Sequence, residues 1–403
     1  QVIPTGVRMP AVDFAPITYF PDLLATRSEQ LGYRRLSDED KDSLVPIFGL
    51  THRRGSPDLS DAIQLITGSA ADRPFLLDLD HRPVPPPYEA RNPADPEAEA
   101  RRVRAEREVQ ERYNALLAHL LSVGDGFAAW RELAGRFPNA IPMLQYTDLQ
   151  AEARNVLRQA ALLSRNGGSI GVRIRRGSAA AAPQVISQII AILDAPNQLL
   201  IILDCGQGRI HLSDRAGFAR DTIQAILSEL DVVQQSKVRA VCMSNSILHP
   251  NHDLMRPLPN LDWRIWRSAR EVFPFAFGDY AAMSRPAAHS AFVPRDWRAT
   301  VTYPLPESWL IYRSPNINDP AGWVEGSQAI MNHADFEPPP DAWGVTLIKA
   351  AAEGNIEDVE SARFWSAAKV NLHLCRQIRY SASQLGEPGG GGDDEDDGGD
   401  DDE

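Results

Sequence analysis

Two arginines and a scatter of aspartates hold positions where a fold could put them to chemical use. In the run SIGVRIRR (169–176), Arg173 and Arg175 are two apart. On a strand such residues share a face, so one face carries two guanidinium groups while Val172 and Ile174 pack on the other. A guanidinium forks onto a carboxylate or a phosphate, and inside a fold it must be paired because an unpaired buried charge is expensive. The carboxylates on offer end other apolar runs: Asp78 and Asp80 in LLDLD, Asp204 in LLIILD, and Asp279 in FGDY, beside Tyr280. Two readings stay open. Either the charges form an ion-pair layer that fills the core, or an arginine at an open rim binds an anionic, phosphate- or carboxylate-bearing ligand. In the second reading the binding candidates are Arg173, Arg175, Asp78, Asp80, Tyr280 and Arg313 of WLIYRSP.

Asp204 ends the most apolar run and precedes CGQG, whose glycines let the backbone turn sharply. With Asp279 it would make a general acid–base pair, or hold Mg²⁺ together with substrate oxygens. Neither aspartate belongs to a spaced metal-ligand motif, so no metal site and no cofactor are predicted, and Mg²⁺ stands only as the ion these carboxylates would suit. His373, in FWSAAKVNLHLCRQI, is the third candidate for catalysis because histidine titrates near neutral pH. It also borders the helix face shared by Trp365 and Leu372, which equally fits a packed histidine bonded to backbone. Glu29 in ATRSEQ is a further polar residue at an element end.

Placing these groups falls to short apolar runs: PFLLDLD (74–80), AIPMLQYTD (140–148), SIGVRIRR (169–176), LLIILDCG (199–206), VRAVCMSNS (238–246) and PFAFGDY (274–280). They are too short for helices and are bounded by turn residues, the mark of strands buried on both faces. Helical stretches at 149–165, 182–194 and 214–231 alternate with them, and strand starts recur about every thirty residues, the period of βα units. Upstream, ITYFPDLLATRSEQLGYRRL passes from an extended piece into a helix, and SDEDKDSLVPIFGL enters a strand with proline at its start. Seven or eight such units predict an α/β fold, a TIM-like (β/α) barrel, with the site at the C-terminal ends of its strands.

Around that barrel, residues 1–18 read as an irregular leader and 19–385 as a single domain. The stretch HRPVPPPYEARNPADP (81–96) is too rigid and donor-poor for sheet or helix. With the highly charged helix that follows, it makes 81–123 an insertion on the side where barrels carry functional loops. Residues 247–272 read as a connector rich in Pro, Asn and Trp. The segment 299–315 reads as two strands broken by a proline-containing turn, and helices near 321–334, 341–353 and 357–382 close the fold. GDGFAAW and GQGRI resemble fragments of glycine-rich phosphate loops, but no complete phosphate-loop or nucleophile-elbow motif occurs.

The formal charge of −13 is mostly local, since residues 393–403 hold nine of the 54 acids. That acidic tail, 386–403, cannot bury apolar surface and is predicted to be disordered. The body, 45 acids against 41 bases, lacks the basic excess of a duplex nucleic-acid binder. Three scattered cysteines give neither a disulfide framework nor a zinc site. No run approaches ~18 apolar residues and no signal sequence opens the chain, so a cytoplasmic protein without a membrane role is expected. Its partner is then an anionic small molecule or, in the alternative reading, a protein, with the barrel a non-catalytic interaction scaffold.

The order of features resembles the phage beta-protein family, a group named for a T-even bacteriophage protein. Tyr19-Phe20-Pro21, Glu29 and Val45-Pro46-Ile47-Phe48 resemble its opening Tyr-x-Pro segment, glutamate and Pro-Leu-Phe-Glu-type strand. Gly278-Asp279-Tyr280, and Trp365 with Asn371-Leu372-His373, resemble its Gly-Asp-Tyr strand and its closing helix with Trp and Asn-His-His. The resemblance spans residues 19 to 380. It implies a barrel-like fold and a phage- or defence-associated context, and carries over no assigned catalytic residue. Gly49 stands where the family often has an acid, and Leu372 interrupts the paired histidines; were those positions catalytic elsewhere, this chain would have lost that activity.

Overall fold

A computed structural model describes residues 9–53, 56, 58–82, 84, 87–89, 95–247, 254–285, 296–357 and 361–386. The acidic tail and most of 83–94 lie outside the described residues.

The strands are β1 (Tyr19–Leu24), β2 (Ile47–Leu50), β3 (Phe75–Leu79), β4 (Ala140–Leu144), β5 (Ile170–Arg175), β6 (Leu199–Gln207), β7 (Arg239–Asn245), β8 (Leu254–Pro259), β9 (Ala276–Asp279), β10 (Thr300–Pro304) and β11 (Ser308–Arg313). Strands β1 to β7 and β9 close into an eight-stranded parallel barrel, with β9 seated between β7 and β1. The fold is therefore an α/β, TIM-like barrel.

Alternation along each strand sorts the side chains into two packed layers. Phe20, Ile47, Leu76, Ile141, Met143, Leu200, Ile202, Val241 and Met243 form a core cluster inside the ring. Their neighbours, among them Tyr19, Leu23, Phe48, Leu50, Leu77, Val172, Ile201 and Phe277, belong to the larger core beneath the helices. Gly278 takes an inward position because the ring is crowded there: a Cβ would lie 2.6 Å from Val241 Cγ1. Below the ring, residues 9–18 have no regular structure yet are tied down. Ser169 N–H donates to the Pro10 carbonyl at 2.9 Å and Val12 N–H to Ser169 Oγ at 2.9 Å, while Phe14 joins the interior cluster and stops the N-terminal end of the barrel.

Helices begin where the sequence supplies caps. Thr26 Oγ1 accepts from Glu29 N–H at the start of Arg27–Arg34, and Asp95 caps Pro96–Leu120 with proline in the first turn. The latter helix pairs its own charges, Arg102 with Glu106 at 2.7 Å and Arg112 with Glu108 at 2.6 Å. The helix Ala362–Gly386 lies across β1 and against Arg27–Arg34, so closely that a Cβ on Gly32 would sit 2.7 Å from the Ala367 carbonyl oxygen. Among the described residues no helix is long and apolar enough to cross a membrane.

Two segments depart from the sequence reading. The expected connector 247–272 contains β8 and a helix, Asp262–Arg270; β8 joins β11 and β10 in a three-stranded antiparallel sheet beside the barrel. Pro257 and Pro259 hide this strand from a pattern search, and they are tolerated because β8 is an edge strand. GDGFAAW, where no helix is expected, opens the helix Gly124–Ala134, whose left-handed Asp125, Gly126 and Phe127 mask the helical period.

Candidate functional site

The parity of β5 turns Gly171, Arg173 and Arg175 into the barrel. At the C-terminal ends of the strands these arginines meet a cavity of about 520 Å³, open to solvent. Arg173 forms its floor. Nη1 donates to Asp22 Oδ2 at 3.0 Å and to Asp204 Oδ2 at 3.3 Å, and Nε donates to Asp78 Oδ2 at 3.0 Å. One guanidinium thus serves three carboxylates from β1, β3 and β6, and all four residues are buried.

The three acids are not equivalent. Burial would raise the Asp78 carboxyl, but Arg173, Arg175 and the Gln145 amide together outweigh it and hold the group below its ordinary range. Asp204 is held low in the same way by Arg173, Arg175, the Tyr280 hydroxyl and the Gly206 N–H. Among the described residues Asp22 has no such additional donors; burial pushes it up, and Arg173 and Arg285 do not offset the rise.

Around the rim the cations differ in freedom. Arg82 donates to Asp80 through Nε at 2.9 Å and Nη2 at 2.7 Å, and Asp80 also accepts from Thr51 at 2.6 Å. Arg285 grips Glu29, Nη2 to Oε2 at 2.5 Å, and donates to the Asp22 carbonyl at 3.0 Å. Tyr280 donates to Asp204 Oδ1 at 2.5 Å. Arg175 is different: its side chain is 51% exposed, and among the described residues only a 3.7 Å approach to Asp204 engages it. Arg176, exposed beside it, lines the same cavity.

The structure therefore brings together Arg173, Arg175, Asp78, Asp80, Asp204 and Tyr280. It sets Asp279, His373 and Arg313 elsewhere. On β9, Gly278 and Tyr280 face inward, so Asp279 faces outward, where its Oδ2 lies 2.6 Å from His373 Nε2 and its Oδ1 accepts from the Tyr19 hydroxyl at 2.8 Å. His373 is bonded to this side chain, not to backbone, and Trp309 stacks on its ring at 4.9 Å. Arg313 ends β11 in the side sheet. The expected Asp204–Asp279 pair does not form, since the barrel wall separates the two, and they cannot share a Mg²⁺ ion. Asp22, Asp78 and Asp204 spend oxygens on Arg173, and among the described residues no group of three or more His, Cys, Asp or Glu is arranged to hold a metal.

Sequence reasoning overlooked Asp22, His81, Arg82 and Arg285. Asp22 carries a readable signal: in YFPDLL it is two residues after Phe20 and so shares its inward face. His81 and Arg82 open the proline-rich stretch, and Arg285 follows β9 in an irregular segment, where periodicity carries no information. Arg285 finds Glu29 across 256 residues.

The family model described as Beta protein matches residues 19–379. Protein beta of Enterobacteria phage P4 is 25% identical over 382 residues, covering 92% of this chain and 95% of that protein. The similarity supports the family and its phage connection, and gives no support to the narrower T-even label. With the match running from the first barrel strand through the helix that crosses it, the chain belongs to the Beta protein family.

Proposed function

We propose that the barrel mouth binds a small anionic ligand, bearing phosphate or carboxylate, through Arg175 and Arg176, in a cytoplasmic, phage- or defence-associated protein. The half-exposed Arg175 carries the reading. Arg173 is held by three aspartates, Arg82 and Arg285 are each engaged by a carboxylate, and Arg175 keeps its fork turned to an open cavity. A guanidinium so placed suits bidentate capture of an oxyanion. Asp204, held ionised, aims Arg175 from behind, and the left-handed Gly206 turns the chain away from the opening. Mg²⁺ enters this reading only as the companion of a phosphate ligand.

Calorimetric titration of the full chain with inorganic phosphate, pyrophosphate and a dicarboxylate tests it. Binding of at least one of them is expected, and Arg175→Ala should weaken it by about tenfold or more, the value of one charge-assisted pair, with the urea midpoint unchanged. Equal binding by the variant, or a variant that no longer folds, would overturn the reading in favour of a structural ion-pair layer.

A further inference from the structure

Beside the arginines, the cavity wall holds a histidine whose chemistry its neighbours dictate. Gln145, directly after β4, is buried, and its amide nitrogen donates to Asp78 Oδ1 and to the Met143 carbonyl, each at 3.1 Å. Both amide hydrogens meet acceptors, which fixes the amide orientation. Its Oε1 then faces His81 Nε2 at 2.7 Å. An amide oxygen only accepts, so the ring hydrogen sits on Nε2, and in a neutral imidazole Nδ1 keeps the lone pair. Nδ1 has no hydrogen-bonding partner among the described residues, and His81 lines the cavity that Arg175 and Arg176 line. Burial lowers the imidazole below its ordinary value, and Arg175 works the same way; Asp78, the Gln145 hydrogen bond and Asp80 pull it up without restoring it. Burial thus favours the neutral ring.

Resting on the anion-binding reading, we propose that His81 is the proton acceptor in hydrolysis of a small phosphate ester whose phosphoryl group Arg175 and Arg176 hold. A water O–H bond breaks and its proton forms the Nδ1–H bond, while the water oxygen bonds to phosphorus. The ester P–O bond breaks, its electron pair leaves on the alcohol oxygen, and that oxygen takes a proton from solvent through the open mouth. The imidazolium then returns its proton to water. Gln145 is a positioning residue: it selects the tautomer that aims a lone pair into the cavity.

The experiment combines release of nitrophenolate from p-nitrophenyl phosphate and bis(p-nitrophenyl) phosphate with calorimetric binding of inorganic phosphate, all on the full chain. Wild type should hydrolyse at least one ester, with a rate that falls on acidification, at a pH lower than an ordinary histidine would give, because burial lowers this ring. His81→Ala and His81→Gln should lose about 100-fold or more, the usual contribution of a general base, and still bind inorganic phosphate. Nitrogen-15 shifts of His81 should report the Nε2–H form, and Gln145→Met should release the ring into a tautomer mixture and slow turnover. If wild type binds phosphate but cleaves neither ester, or if both His81 variants match it, this inference fails and anion binding stands. If wild type binds no phosphate, both readings fail for phosphate.

Discussion

Asp279 and Tyr280 are adjacent in the chain and serve opposite sides of the barrel wall. Tyr280 joins the cluster around Arg173, where three carboxylates share one guanidinium at the floor of an open cavity. Asp279 joins a sealed cluster behind β9, where the Tyr19 hydroxyl, the Ala281 N–H and His373 Nε2 all converge on one carboxylate under the Trp309 ring. The residue types are those of a catalytic constellation in both places. Access separates them: the first cluster borders solvent through Arg175, and the second ties the helix Ala362–Gly386 to β1 and β9. An acid–histidine pair is evidence of chemistry only where a ligand can reach it.

Substitutions should split the two clusters. The largest effect is expected for Arg173→Met, which strands three buried carboxylates and should cost about 3–5 kcal/mol at pH 7 by urea unfolding. Without the guanidinium those acids rise, their neutral forms favour the folded state, and stability should return as the pH is lowered through the raised values. Asp279→Ala should cost somewhat less, about 3 kcal/mol, from the donors left without an acceptor. Lowering the pH should not rescue it, and the protein that remains folded should still bind anions through Arg175. Equal acid rescue of both variants would erase the distinction.

Finer resolution comes from the three aspartates themselves. Asp78 and Asp204 have folded values below their unfolded ones, so their contribution is full above the unfolded value near 4 and is lost as the pH falls through the folded values. Asp22 has the opposite sign. Its folded value is raised, so it favours the fold below about pH 4 and loses that contribution as the pH climbs through the raised value. Asp22→Asn should therefore be the mildest of the three amide replacements at pH 7, and its stability relative to wild type should improve as the pH rises; a pH series of unfolding midpoints measures this. The smallest effect on stability is expected for Arg175→Ala, within about 0.5 kcal/mol as for other surface positions, with loss of anion binding.

Much of the scaffold was legible because its code is local. A two-residue period places Arg173 and Arg175 on one face, and continuous apolar runs bounded by turn residues mark buried parallel strands. The site was less legible because its code is not. Arg173 meets Asp22 across 151 residues and Asp78 across 95, and no local pattern records which strand neighbours which. Parity misleads where the starting face is unknown: FGDY is silent on whether Gly278 or Asp279 points inward, and the answer depends on how closely β9 approaches Val241. Gln145 shows the same limit, since its role rests on Asp78 and His81 taking opposite ends of one amide.

The seam between β1 and β9 joins residues 19–21 to 277–279, so the ring closes on strands made early and late in synthesis. Its fastening, Tyr19 to Asp279 to His373, is completed by a helix translated later still. A nascent chain halted before that helix would have Trp263 stacked on Phe277 but would leave Tyr19 and Asp279 without the helix that covers them, and incompletely covered sheets are prone to associate with one another. Force measurements with a translation-arrest peptide should register closure only after residue 373 has cleared the ribosomal tunnel; closure at shorter lengths would show that the strands zip without their latch.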